Sequence, residues 1–195
     1  MGTTMDPIAL RDLAHDLRQP LSTIEAIAYY LTLVLPPDDE KTHEQLDRLQ
    51  QLVEQSNWIL SNGLQLADPL PPARDGVDIE SLITQTLAAR PGPGIRLELC
   101  GALPHVQADP GMARALIENL MTLFRQIATE QQPATVRTSY CSGVVIEIST
   151  DAAGFRSIAG ASLSLETARR MIEAHSGAFD VSSDASGARL QVVLP

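Results

Sequence analysis

The stretch Leu10 to Leu35 limits the chain most. Leu10, Leu13, Leu17, Leu21, Ile24, Leu31 and Leu35 recur three or four positions apart, or seven where Ala28 intervenes, and so mark one stripe of a long amphipathic helix. His15 and Asp16 fall off that stripe and face water. An imidazole beside a carboxylate on the outer face of a rigid helix is a nucleophile with a neighbour able to fix its tautomer and balance positive charge. Pro20 lies inside the same pattern, where it removes a backbone donor and crowds the carbonyl of Asp16, so a bend or loosened turn is expected next to the histidine.

Asp6-Pro7 reads as a cap followed by proline at the first helical position, behind a loose tail from Met1 to Met5. Pro36-Pro37-Asp38-Asp39 turns the chain. A second helix starts near Glu40 or Thr42, ends near Ala67, and carries Leu46, Leu49, Val53, Leu60, Leu64 and Trp58 or Ile59 inward. Two such helices on a short connection form an antiparallel hairpin. Each apolar face is wider than the other helix can cover. The hairpin is therefore expected to pair with a second copy as a dimeric four-helix bundle.

Asp68 to Gly76 is proline-rich and marks the domain boundary: a helical hairpin over 1–68, a linker over 69–76 and a second domain over 77–195. Past it the periods shorten. Asp78 caps a helix through about Ala89, strands are expected at Ile95–Cys100 and His105–Ala108, and a helix runs from Pro110 to Ala128. A hairpin, Thr135–Tyr140 and Val144–Ser149, turns at Ser142-Gly143. Another helix, Ser162–His175, ends on Gly177 as its C-cap, followed by strands near Phe179–Ser182 and Arg189–Leu194. Strands on one side and helices on the other make an α+β sandwich.

The formal net charge of -10 argues against nucleic acid or an anionic membrane surface as the main partner. Two cysteines are too few for a disulfide framework, no signal peptide is visible, and the longest mainly apolar run is too short for a bilayer; a cytoplasmic location without membrane insertion is expected. His43, His105 and His175 have no metal-ligand spacing and read as structural or solvated, so no metal site is expected. Glu118 and Glu147 show no partner, so a carboxylate-pair hydrolase is not supported.

His15-Asp-Leu-Arg-Gln-Pro-Leu21 resembles the H-box of two-component histidine kinases, in which the histidine accepts a phosphoryl group. Beyond the linker, Ala108-Asp109-Pro110, Glu118-Asn119-Leu120 and the run Leu165–Gly177 with Gly187–Pro195 resemble the HATPase-like (GHKL) domain of the same kinases. The resemblance covers nearly the whole chain and implies a dimerisation and phosphotransfer hairpin joined to that fold.

It also implies a degenerate nucleotide site. The family's second N-box asparagine falls on Leu123, which offers a hard cation no oxygen. The Asp-x-Gly-x-Gly box reads Asp151-Ala152-Ala153-Gly154-Phe155, and the Gly-x-Gly-Leu-Gly-Leu loop reads Gly160-Ala161-Ser162-Leu163-Ser164-Leu165. Two of the three loop glycines are serine, and Phe155 to Ala159 is too short for a mobile lid. Asn119, Asp151, Gly154 and Gly160 are what remains of that site.

These expectations converge on a histidine phosphotransfer protein. His15 takes a phosphoryl group from the aspartate of one response-regulator receiver domain and passes it to another. Asp16 orients the ring, Gln19 could position water for receiver dephosphorylation, and Arg18 is a candidate partner or phosphate contact. No cofactor of its own is needed, because receivers bring magnesium. Two alternatives stand beside it: an ATP–Mg-dependent histidine kinase that autophosphorylates on His15, and a non-catalytic dimeric scaffold.

Overall fold

In the computed structural model, which describes residues 7–67, 74–90, 94–152, 154–155 and 158–195, the chain divides into two compact units, Met1–Pro69 and Leu70–Pro195. The Asp6 cap, the linker residues 68–73 and Ala153 of the aspartate–glycine box lie outside the described residues.

The first unit is the antiparallel pair α1 (Pro7–Val34) and α2 (Glu40–Ala67). Helix α1 runs through Pro20 without interruption. Its apolar stripe divides. Leu10, Ala14, Leu21, Ala28, Leu31 and Leu35 are buried or half-buried, and Ala14 and Ala28 are small enough to let the helices approach closely, whereas Leu13, Leu17 and Ile24 are exposed. An arc more than 100° wide cannot be covered by one neighbouring helix. On α2, Leu46 and Val53 are buried and Leu49, Trp58, Ile59, Leu60 and Leu64 half-buried.

The turn before α2 is held by side chains. Asp39 accepts from the backbone N–H and the hydroxyl of Thr42, at 3.2 and 2.6 Å, and the His43 ring lies 3.1 Å from the Pro36 carbonyl. Those two bonds from Thr42, the hydroxyl first, hold the Asp39 carboxyl below its ordinary value.

The second unit opens with β1 (Asp75–Val77), then α3 (Ile79–Ala89), β2 (Ile95–Glu98), β3 (Val106–Ala108), α4 (Pro110–Arg125), β4 (Ala134–Tyr140), β5 (Val144–Thr150), α5 (Ala161–Ala174), β6 (Ala178–Asp184) and β7 (Gly187–Leu194). Strands β1 and β3 pair antiparallel, with Asp75 opposite Ala108 and Val77 opposite Val106. A five-stranded sheet has the order β2-β4-β5-β7-β6, with β2 parallel to β4 and every other pair antiparallel. Alternation puts Val136, Ile146, Ile148, Leu190 and Val192 on the covered face, against the apolar sides of the helices. Each fully buried aliphatic of this kind contributes roughly 1.5–3 kcal/mol. The core therefore lies between one face of the sheet and its helices. Asp78 and Asp109 cap α3 and α4 by accepting from Ser81 and Met112.

Three expectations are corrected. Asp75 and Gly76 form a strand rather than linker, because a three-residue edge strand leaves no periodic signature beside prolines and glycine. Helix α5 ends at His175 with Ser176, rather than Gly177, in the left-handed conformation at φ 60°, while the Gly177 N–H donates to the Ile172 carbonyl at 2.9 Å. A Cβ at Gly177 would sit 2.5 Å from the Val193 carbonyl, so the glycine is required by close packing against β7. Glu147 does have partners: it lies opposite Arg137 across the β4–β5 ladder and pairs with Arg137 at 3.6 Å and Arg189 at 2.5 Å on the open face of the sheet.

His175 is buried at 4% exposure and joins two helices. Its Nε2 accepts from the Asp109 N–H at 2.9 Å, while Nδ1 lies 2.6 Å from the Met171 carbonyl. Both bonds are satisfied by the tautomer protonated on Nδ1. Replacing His175 with Phe leaves both partners unmet and is expected to lower the unfolding free energy by about 1–3 kcal/mol in chemical denaturation of the full chain. Acidification through and below the ordinary carboxylate range should also fray the first turn of α2. The bonded Asp39 has a depressed folded-state value, so its contribution is present above the unfolded value and is lost as pH falls through the folded one. Amide exchange at Thr42 and His43, compared with Asp39→Ala, reads this directly.

Candidate functional site

The candidate residues form two groups, one in each unit. On α1, His15 and Asp16 are both exposed, with side-chain accessibilities of 71% and 77%, and Nδ1 lies 3.5 Å from Asp16 Oδ1. This is ion-pair distance rather than a tight hydrogen bond. It places the carboxylate beside the nitrogen nearer the backbone. The sequence reason is simple: both residues fall between the apolar positions of α1, so packing α1 on α2 turns them to solvent.

Gln19 is exposed one turn after His15, and its backbone carbonyl accepts from the Thr23 hydroxyl at 3.0 Å. Arg18 leans the other way: its Nη2 donates to Ser61 Oγ on α2 at 3.1 Å. His15, Asp16 and Gln19 therefore gather on one outer face, and Arg18 is tied across the hairpin.

In the second unit, Asn119 of α4 is buried, and Ser164 of α5 meets both ends of its amide. Asn119 Nδ2 donates to the Ser164 carbonyl at 2.9 Å, and the Ser164 hydroxyl donates to Asn119 Oδ1 at 2.7 Å. Leu123, one turn on, is fully buried. The Asn119 amide oxygen thus accepts from the Ser164 hydroxyl, and the leucine side chain one turn on carries no oxygen.

Asp151 is exposed at the end of β5, and its backbone carbonyl accepts from Gln132 Nε2 at 3.4 Å. The Gly154 N–H donates to the Asp184 carbonyl at 2.9 Å, and the Phe155 N–H donates to Ser183 Oγ at 2.9 Å. Gly160 precedes α5 with φ 84°, a conformation that favours glycine. Asn119 is therefore joined to α5, whereas Asp151, Gly154 and Gly160 follow the β5–α5 connection.

Sequence reading missed two residues here. Phe155 counts by position as part of a shortened loop, yet it is 4% exposed and meets Phe124 of α4 edge-on, with centroids 5.1 Å apart and planes at 88°. Such a pair adds about 0.5–1.5 kcal/mol to its area burial. Ser164 reads as a lost glycine, but its hydroxyl fills a role of its own. An aromatic next to a glycine box was the available signal for the first. Nothing local signals the second, since its partner is 45 positions away.

Among the described residues no three His, Cys, Asp or Glu side chains gather as a metal site, and no helix is long and apolar enough to cross a membrane.

No protein-family model matches the sequence. The chain is similar to the sensor histidine kinase ZraS of Escherichia coli O157:H7, 27% identical over 94% of this chain and 44% of that protein. It is also similar to ZraS of Klebsiella oxytoca, at 25% identity with the same coverage. The chain therefore spans under half the length of the curated relatives it matches. Among solved structures, full-length ShkA in complex with AMPPNP superposes with a TM-score of 0.67 at 22% identity, over 98% of this chain and 46% of that one. The catalytic domain of the histidine kinase ThkA gives a TM-score of 0.53 at 13% identity, over 63% of this chain and 95% of that one.

The Asn119–Ser164 pair makes a double-mutant cycle informative. Asn119→Ala and Ser164→Ala should each cost about 1–3 kcal/mol by stranding a buried partner. The double variant should cost less than their sum by at least about 0.5 kcal/mol, measured by denaturant unfolding.

Proposed function

We propose, on the premise that this chain is a distant homologue of the sensor histidine kinases over most of its length, that His15 is its phosphorylated residue. A histidine-kinase-like hairpin joined to an HATPase-like domain is a two-component signalling architecture. Within it, the observation that carries the proposal is the exposed His15 ring, with Asp16 Oδ1 3.5 Å from its Nδ1. A neutral Nε2 can attack phosphorus in line, while Asp16 holds the Nδ1 proton and balances the charge that develops on the ring. Gln19, one turn away, is placed to orient a water molecule against a receiver phosphoaspartate.

The partners follow from the same helix. Receiver domains would dock on the His15 side of α1, where Tyr29 and Leu33 are also exposed. A second copy would cover the other side. Leu13, Leu17, Ile24, Ile27 and Val34 are exposed at three- and four-residue spacing or its sum, which is the seam of a helix pair.

Two phosphoryl sources are open to His15. Kinship supports ATP better: the curated relatives are sensor histidine kinases, and ShkA was solved with AMPPNP. A receiver phosphoaspartate is the second reading, and the Asn119–Ser164 pair favours it, since both polar ends of that amide are already engaged. Buried serine at 164 and leucine at 123 support the same reading. Positioning and charge neutralisation of the γ-phosphate are most of what a kinase site does, so losing them weighs heavily.

The test uses the full chain with radiolabelled ATP–Mg in one arm and a radiolabelled phosphoreceiver in the other, each against His15→Ala. Label reaching the wild type but not the variant establishes His15 as the carrier. Label from ATP selects the kinase, and label from the receiver alone selects the relay. If neither arm labels the wild type, or His15→Ala labels equally, His15 is not the carrier and the scaffold reading takes its place.

A further inference from the structure

Arg18 and Ser61 supply an observation that the phosphoryl chemistry has not used. Arg18 follows His15 by three positions and Arg11 precedes it by four. At 100° per residue the three lie within an arc of about 60° on α1, while Asp12 and Asp16 lie on the other side of the histidine. Side chains three or four residues apart have Cβ atoms about 5–6 Å apart, well within the reach of an arginine. In this structure Arg18 does not turn toward His15. Its Nη2 is bonded to the Ser61 hydroxyl of α2 at 3.1 Å.

That bond has a neutral acceptor. A phosphoryl group on His15 Nε2 would place a doubly charged, three-oxygen acceptor one turn away, and charge-assisted bonds to such groups are roughly twice as strong as neutral ones. Arginine also matches the paired oxygens of a phosphoryl group with two parallel N–H donors, which a single serine hydroxyl cannot use. We propose that Arg18 is a positioning residue that exchanges Ser61 for the phosphoryl group on His15, so that phosphorylation is transmitted to α2 as the loss of one interhelical bond. This rests on His15 being the phosphorylated residue. It adds the element that reads the phosphorylated state.

Phosphoramidate tests the exchange with the full chain and with no partner or nucleotide. His15 Nε2 attacks phosphorus, the P–N bond of phosphoramidate breaks and ammonia leaves. The ring keeps its Nδ1 proton facing Asp16, so the imidazolium charge and the two phosphoryl charges balance those of the donor. The side-chain Nε–Hε resonance of Arg18, in protein labelled with nitrogen-15 arginine, should move on treatment of the wild type and stay in place in His15→Ala. Arg18→Ala should slow phosphorylation about two- to fivefold, the scale of one exposed charge pair. Ser61→Ala frees the guanidinium and should act in the opposite direction, with the Arg18 resonance shifted before any donor is added. Arg18→Lys should recover part of the rate.

If Arg18 only ties the helices together, Arg18→Ala and Ser61→Ala will change the rate in the same direction. That result, or an unmoved Arg18 resonance on a phosphorylated His15, overturns the exchange while leaving His15 as the carrier. If phosphoramidate leaves His15 unmodified in the wild type, the reading of His15 fails and the exchange goes with it.

Discussion

Helix α1 carries more apolar surface than α2 can cover. Ala14 and Ala28 let the two helices close together, and Leu21 and Leu31 fill the seam between them, but Leu13, Leu17, Ile24, Ile27 and Val34 stay in water. A solvated aliphatic forgoes roughly 1.5–3 kcal/mol of burial, so a row of five is a strong demand for another surface. His15, Asp16 and Gln19 are exposed on α1 as well, off the positions that face α2.

The second unit answers a different demand. Its helices must cover one face of a five-stranded sheet, and they do so with Ile79, Ile83, Ile117, Leu120, Leu123, Phe124 and Ile172, all essentially inaccessible. Two polar sets in that interior are matched, whereas the buried Thr86 hydroxyl on α3 has no partner. Asn119 and Ser164 complete one another, and His175 receives from Asp109 while facing the Met171 carbonyl. Buried polar groups are tolerable when each is met, and costly when one partner is removed.

Most of the architecture was legible because it is written in short-range periodicity. The helix bounds follow from apolar spacing at α1 and α2, the cap residue Asp78 announces α3, and alternation marks the β4–β5 hairpin. What escaped was non-local. Strand β1 is three residues long and exists by pairing with β3, whose partner residues lie 29 to 33 positions later. Glu147 looked unpartnered because Arg137 and Arg189 reach it only across the sheet. Gly177 looked like a helix cap, although its smallness is spent on the carbonyl of Val193 in the last strand.

The sequence by itself determined that an imidazole and a carboxylate would stand together on the water side of a long helix, because adjacent positions between apolar ones have nowhere else to point. It determined the order of helices and strands for the same reason: helical and extended periods repeat over a few residues. Only the tertiary structure decided where Arg18 would rest, what would meet the amide of Asn119, and that Phe155 would fill space against Phe124. Those outcomes depend on which side chains the packed helices and sheet bring within bonding distance, and partners 43, 45 and 31 positions apart leave no trace in local pattern.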